Sequence, residues 1–588
     1  MYPSNMADNF TISNALVRSF ENLGITDAFV VTGGAISSFT EALVKSSRIK
    51  SHFLLNEQSA SIAAEAYGQF DGKPALLVVT SGPGVTNTLT GIAAAWTNSS
   101  PLIVVSGQAR SIDVREATSS NNRQIGNQHL NTSSFVKSIT KFFMEPTSEF
   151  DIVAVVHNLY KTSISGRMGP VWLSLPSDVQ RLPTEDVTKI IDGSISANEK
   201  IELKDDLLKA IKDLFSESKA PAILLGNGAR IEGKLPIEVF EFIEKHSIPV
   251  LTTWPGMDLM SNNHPLYFGR PGTISSGYRA NLIIQKCDAL LILGARLDLA
   301  QVGFRPNEFA LQAKVLRIDV DKNEFERIVE RKNWVNLEIS TESVLPAFKE
   351  LIITFPRIEI WLNQIRSLND NPRGRAESNF EDGLSTYRVI NHLVDTGIQL
   401  IACGSSGTCM EMVFQTWKIA QNQRFIFSCG LGSMGFGLAS AIGLSIKTQQ
   451  KILLIESDGS FAMNIQDLET IACLDLDIKI IVLNSGGYKS IKLSQQRQNQ
   501  VAHGTDYETG VFLPKPVKWA DAAGIAAFEI LNEEELVELL KSEIHDRIPK
   551  LFDIHVSPTE EAIPRLISSI QSSGLMETAK FDDLWPRN

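Results

Sequence analysis

The chain has 588 residues, too many for one hydrophobic core, and at the usual domain size of roughly 100–200 residues it divides into two to four domains. Its 55 basic and 67 acidic residues leave a net charge of −12 without any long Lys/Arg run, which disfavours a nucleic-acid surface. No run of about 18 apolar residues occurs, and "MYPSNMADNF" lacks a basic flank and apolar core, so a cytoplasmic protein without membrane association is expected.

In chain order, short apolar runs alternate with stretches of helical period. "DAFVVTGG", "PALLVVTSG", "PLIVVSGQ" and "GPVWLSLPSDVQ" form a first series of strands. A polar stretch from Arg181 to Lys204 reads as a linker, and a second series follows: "APAILLGNGAR", "IPVLTTW", "ALLILGARLD" and "KVLRIDVD". Beyond a second polar stretch, "LNDNPRGRAESNFEDG", come "QLIACGSSG", "RFIFSCGLGSMGFG", "KILLIESDGS", "IKIIVLNSGG" and "PKLFDIHV". Such alternation predicts α/β domains built on doubly wound parallel sheets. Three are expected, over residues 1–185, 200–355 and 375–560, with a tail at 561–588, and the first and third share a plan, as a duplication would leave. The five cysteines form no Cys-x-x-Cys pair and read as small buried hydrophobes.

Ligands of doubly wound sheets sit beyond the carboxyl ends of the strands. Asp458 ends one predicted strand and Ser485 the next, 27 residues on, an interval that suits a strand-helix-strand unit. The Asp458 carboxylate, the Ser485 hydroxyl and a carbonyl at Gly487 would suit a magnesium ion whose remaining ligands are phosphate oxygens. Gly459, Gly486 and Gly487 would let a diphosphate approach the backbone. A competing pattern, Gly430, Gly432 and Gly435 after "RFIFSC" with Glu456 further on, matches a dinucleotide fingerprint and raises a nicotinamide-dependent dehydrogenase as a rival.

"SDGS" followed by "NSGG" resembles the signature of the thiamine diphosphate (ThDP) enzymes, a Gly-Asp-Gly turn followed by Asn-Asn. Ser457 and Ser485 are the departures, and they motivate a second rival, a non-catalytic protein of that fold. The resemblance extends to "LLNEQSASIAAEAYG", "VVTSGPGVTNTLTGIAAAW" and "GLGSMGFGLASAIG", and "SGRMGPVWLSLPSDVQ" and "ILGARLD" are similar to the acetolactate synthase-like branch. It implies that Glu57 is the carboxylate that activates the cofactor's aminopyrimidine, buried near a helix start where proton sharing is favoured, with Asn56 where many relatives have His. It implies that Met434 is the apolar wedge under the cofactor, with the Gly432 carbonyl as partner of its amino group. Pro83, Asn87, Ser405, Ser406, Asp458, Gly459, Ser460 and Tyr488 complete the implied ThDP set, with Asp458, Ser485 and Gly487 as metal ligands.

In the middle series, Gly-rich turns can hold a diphosphate, and an acidic strand end such as Asp319 can accept ribose hydroxyls. In acetolactate synthase-like relatives these places bind FAD, which implicates Gly226, Asn227, Gly228, Thr252, Gly269, Gly272, Thr273, Gly294, Arg296, Asp298 and Asp319, with Arg167 from the first series. Where relatives that accept a second 2-oxo acid carry "RFDDR" and "GMVRQWQ", this chain has "RLDLA" and "KSIKLSQ", placing Ala300 and Ser494 at the Arg and Trp positions. Losing a bidentate Arg removes about 1.5–3 kcal/mol of carboxylate binding. With Gln128 as a further pocket residue, the resemblance implies a decarboxylating carboligase that takes pyruvate as donor. Its acceptor would be an aldehyde or ketone of the nucleotide-linked keto-sugar type, the alternative being an acetolactate synthase. A homodimer or homotetramer is implied, because sites in this family lie between subunits.

Overall fold

The computed structural model describes residues 10–120, 122–146, 148–185, 204–326, 328, 332–368, 370, 380–571 and 574–586. Most of both stretches read as linkers lies outside the described residues. The chain forms two compact units, one of residues 1–197, 426–450 and 463–478, the other of residues 198–425, 451–462 and 479–588.

Three parallel α/β sheets are present, as the alternation predicts. The first contains β1 (Asp27–Val30), β2 (Lys50–Phe53), β3 (Leu76–Val79), β4 (Leu102–Gln108), β5 (Phe142–Met144) and β6 (Pro170–Pro176), in the order β2-β1-β3-β4-β6-β5. The second contains β7 (Pro221–Leu225), β8 (Val250–Thr252), β9 (Ala289–Leu293), β10 (Lys314–Asp319) and β11 (Trp334–Glu338), ordered β11-β10-β9-β7-β8. The third contains β12 (Leu400–Cys403), β13 (Arg424–Ile426), β14 (Ile452–Ser457), β15 (Ile478–Asn484), β16 (Ala526–Ile530) and β17 (Lys550–His555), ordered β13-β12-β14-β15-β17-β16. Numbered within their own sheets, the first and third have the same order, 2-1-3-4-6-5. Each sheet therefore has a switch point between its first and third strands, where connections leave in opposite directions and open a crevice at the carboxyl edge.

Six interior strands, β3, β4, β6, β7, β9 and β12, are buried along their whole length, which is why their sequences read as apolar runs. Trp172 on β6 is wholly buried and gives its indole N–H to Ser106 on β4. Within the first unit, helix α1 (Glu57–Asp71) packs beside α2 (Pro83–Asn98) and α3 (Phe436–Thr448), and Ile62, Ala94, Phe436 and Ala439 close into one small core. No helix of the described residues is long and apolar enough to cross a membrane.

One buried group opposes this packing. Asp467, at the start of α4 (Asp467–Cys473), is wholly buried, and among the described residues neither carboxyl oxygen has a partner in good hydrogen-bond geometry. Burial pushes its pKa up to about 7, the Ser59 hydroxyl offsetting this only in part. The folded state thus keeps this proton to about pH 7, whereas an unfolded aspartate loses it near about pH 4. Between those values the folded state binds more protons, so stability falls as pH rises. Asp467→Asn should flatten that fall in a series of thermal unfolding curves from pH 4 to pH 7; profiles parallel to wild type would contradict the assignment.

Candidate functional site

Asp458 follows β14 directly, at the switch point of the third sheet, and its carboxylate is buried. Oδ1 accepts the Gly459 N–H at 2.9 Å, and Oδ2 accepts those of Ser485 at 3.2 Å and Gly487 at 2.8 Å. The two strand ends singled out from the sequence are therefore bound together. Burial raises the Asp458 pKa to about 6 against the pull of these N–H groups. The Ser485 hydroxyl donates to the Gly487 carbonyl at 3.3 Å, so the three oxygen-bearing residues expected to act together lie on two adjoining turns bound to each other. A carboxylate has about four lone-pair positions; three are taken here, which leaves one on Oδ1. Ser405 and Ser406 lie just past the end of β12, next to β14 in the sheet, Ser460 is buried in the turn after Asp458, and Tyr488 is half-buried at the end of the 485–487 loop.

Glu57 is the first residue of α1, because Asn56 caps the helix by accepting the Gln58 N–H at 2.7 Å. The sequence reading placed Glu57 in a buried setting; in the first turn of its helix it is instead half-buried. The Asn87 side chain, one turn into the helix that Pro83 opens, donates to Glu57 Oε2 at 3.0 Å. Alongside lies an open cavity of about 520 Å³, with Gly82, Pro83 and Thr86 on one side and Gln124, Asn127, Gln128, His129 and Leu130 on the other. Gly82 (φ 61°) lies against Gln128, itself left-handed at φ 59°; a Cβ on Gly82 would come within 2.9 Å of the Gln128 carbonyl oxygen. His129 is buried with Nδ1 lacking a partner. Of this lining the sequence reading named only Pro83 and Gln128; the amide-rich "NNRQIGNQHLN" was the signal it passed over.

The Gly430–Gly435 turn follows β13, an edge strand and the second of its sheet. A dinucleotide fingerprint opens the first strand-helix unit, so the topology removes the dehydrogenase rival. Gly432 is left-handed at φ 66°, Met434 is half-buried, and the Gly435 carbonyl is held by the Asn464 side chain at 2.7 Å.

In the second sheet, Gly226, Asn227 and Gly228 follow β7 and Gly294 follows β9, neighbouring strands at that sheet's switch point, and Asp319 ends β10 on the same edge. The glycines have a reason within the chain. The Gly228 N–H donates to the Gly294 carbonyl at 2.9 Å, and a Cβ on Gly226 would lie 2.1 Å from the same oxygen. Thr252 is wholly buried with its hydroxyl bonded to Tyr267. Gly269 and Gly272 are at positive φ, and the Thr273 hydroxyl and N–H both donate to the Ala300 carbonyl. Arg296 lies 3.9 Å from Asp298, which caps the short helix Leu299–Val302, and Asp319 accepts the Asp321 N–H. Arg167, in the other unit, donates to the Ser99 hydroxyl. Ser494 is half-buried in the helix Lys489–Arg497.

Two sheets of like order, one with a buried carboxylate in a ring of N–H donors past β14 and the other with a helix-start glutamate past the edge strand β2, both carry polar groups where doubly wound sheets bind ligands. The chain belongs to the thiamine pyrophosphate enzyme family, in its acetolactate synthase-like branch. Residues 10–131 match the family's N-terminal TPP binding domain, 208–341 its central domain and 406–554 its C-terminal TPP binding domain. It is 28% identical to the acetolactate synthase large subunit of Lactococcus lactis subsp. lactis, with 96% of each chain covered. It is 29% identical to the acetolactate synthase isozyme 1 large subunit of Escherichia coli (94% of this chain, 95% of the relative), and 28% identical to the chloroplastic acetolactate synthase of Arabidopsis thaliana (95% and 83%). It is therefore a ThDP-dependent enzyme, which sets the non-catalytic reading aside.

The contact between the 226–228 and 294 loops carries its own test. Gly226→Ala should lower the stability of flavin-free protein by about 1–3 kcal/mol, because the added methyl must displace backbone. Chemical denaturation measures this, and an unchanged midpoint would mean that the two loops do not need to touch.

Proposed function

We propose that the protein is a magnesium- and ThDP-dependent carboligase that decarboxylates a 2-oxo acid, pyruvate, and transfers the two-carbon acetyl unit to an aldehyde or ketone, the keto group of a nucleotide-linked sugar. The observation that carries this is the Asp458 cradle: a buried carboxylate bound to the N–H groups of a glycine-rich turn that also bears a serine hydroxyl and the Gly487 carbonyl suits a cation bound to a diphosphate. Bound ThDP would supply the electron sink for decarboxylation. Asp458, Ser485 and Gly487 would hold the metal, Gly459 and Ser460 would lie against the diphosphate, and Met434 would hold the cofactor's shape. Glu57, oriented by Asn87, would share a proton with the ring nitrogen of the aminopyrimidine.

The acceptor assignment rests on Ala300 and Ser494, which offer no cation to a carboxylate, and on the amide-lined cavity beside Gln128, which offers hydrogen bonds to hydroxyl groups. Full-length likeness to acetolactate synthases favours one alternative, that reaction itself, and product analysis with pyruvate alone separates the two. FAD at the switch point of the second sheet belongs to the same proposal, as a structural element, supported by the convergence of Gly226–Gly228, Gly294 and Asp319 on one edge. So does a homodimer or homotetramer working in the cytoplasm: Phe53 and Leu55, exposed just ahead of Glu57, support a covered face there.

Three measurements test this. Glu57→Gln should lose carbon dioxide release from pyruvate by at least about 100-fold while keeping its fold, since an amide cannot share the proton; near-normal release would remove Glu57 from the role. Asp458→Ala should abolish ThDP-dependent activity, and Ser485→Asn should leave the magnesium requirement equal or tighter, so full activity of Asp458→Ala without added metal would refute the cradle. Purified protein should release FAD on denaturation. Protein free of flavin that gains neither activity nor stability from added FAD would refute that part alone.

A further inference from the structure

We infer that the carboxyl edge of the third sheet carries a second metal site, formed by Glu529, Asp553 and His555, that takes a divalent transition metal of the zinc type. Glu529 on β16 is paired in register with Asp553 on β17, and His555, two residues along, points to the same face. One atom from each lies within 4.8 Å of the others. Two carboxylates directly opposite across neighbouring strands repel one another, so this arrangement is unfavourable unless a positive charge sits between them.

Two of the donor atoms have nothing else to do. The Asp553 side chain is only 4% exposed; its Oδ1 accepts the Asn484 amide at 2.9 Å, while Oδ2 meets no donor among the described residues and faces His555 Nε2 at 4.0 Å. His555 Nε2 is shielded from solvent and lies 3.1 Å from Glu529 Oε1, yet the contact does not have hydrogen-bond geometry. A tetrahedral zinc ion with bonds of about 2.1 Å holds its ligand atoms about 3.4 Å apart. The His555 separations of 3.1 and 4.0 Å straddle that value and all three atoms lie within 4.8 Å of one another, so side-chain movements of about 1 Å would close the site. Burial holds the Asp553 carboxyl above its ordinary pKa, the Glu529 charge adding to this and the Asn484 hydrogen bond and His555 opposing it, and a bound cation would favour its charged form. Imidazole with two carboxylates is a borderline donor set that selects zinc-like ions over magnesium. Glu529 and His555 are partly exposed, which leaves an entry path and room for water as the fourth ligand.

The position gives the site a consequence. Asn484 donates to Asp553 and accepts the Gly486 N–H at 3.1 Å, and the neighbouring N–H groups of Ser485 and Gly487 hold Asp458. A metal fixing Asp553 would therefore brace the loop on which the Asp458 cradle depends. This inference rests on the β15–β17 edge and not on the proposed reaction.

The test uses the full chain, stripped with a chelator, saturated with magnesium and ThDP, and titrated with zinc chloride alone by calorimetry, followed by metal analysis after desalting. Wild type should retain one zinc per chain more than His555→Ala or Glu529→Gln, both changes at partly exposed side chains. Cobalt(II) in place of zinc should give the visible absorption of a tetrahedral centre only in wild type. Asp458→Ala should keep the additional zinc, which separates this site from the cradle. Equal zinc content in wild type and both edge variants would overturn the inference, as would loss of the zinc in Asp458→Ala.

Discussion

The arrangement turns on one buried carboxylate. Asp458 is removed from water and surrounded by three backbone N–H groups, from Gly459, Ser485 and Gly487. Those donors converge because β14 and β15 are adjacent, so that their ends reach the same edge, and because Gly486 and Gly487 turn through positive φ (75° and 149°), a path that brings the Ser485 and Gly487 amides inward. Burial still wins over the N–H groups and keeps the carboxyl above its usual range. In the proposed reading a cation completes this site and meets the cofactor's diphosphate. Strand order, turn chemistry and function are thus one constraint stated at three levels.

The same topology is used twice. The first and third sheets share the order 2-1-3-4-6-5, and each places its candidate chemistry in turns on the carboxyl edge: Glu57 after β2, Pro83 after β3, Ser405 after β12, Asp458 after β14. The second sheet has the same plan with five strands, and there the switch-point turns close on each other through Gly226, Gly228 and Gly294. These glycines answer to backbone packing first. A ligand at that edge would use a scaffold whose geometry is already set by the chain.

Much of this was legible in the sequence because interior strands are buried on both faces and read as continuous apolar runs, from "LLVV" in β3 to "IKIIVLN" in β15. Within the three parallel sheets the strands not foreseen, β2, β5, β11 and β16, are all edge strands. "KSHF" and "AAFEI" are partly exposed, and their residues carry no period that a sequence window detects. The Asp458–Ser485 pairing was legible because it lies within one strand-helix-strand unit. The Glu529–Asp553–His555 cluster was not, since its first member sits on such an edge strand and its meaning comes only from register. The helix-start position of Glu57 was legible in the pattern but its environment was not: the first turn of the helix leaves it half-exposed, with Asn87 from a separate helix bonded to it.

The most direct test of the central claim is ThDP binding to the wild-type chain by calorimetry, with magnesium present and with magnesium replaced by excess chelator. If the Asp458 turn holds the cofactor through a cation, affinity should fall by at least about 100-fold without the metal, roughly 2.7 kcal/mol of binding free energy. Equal affinity under both conditions would mean that the diphosphate is held without an ion, and the buried carboxylate would need another explanation.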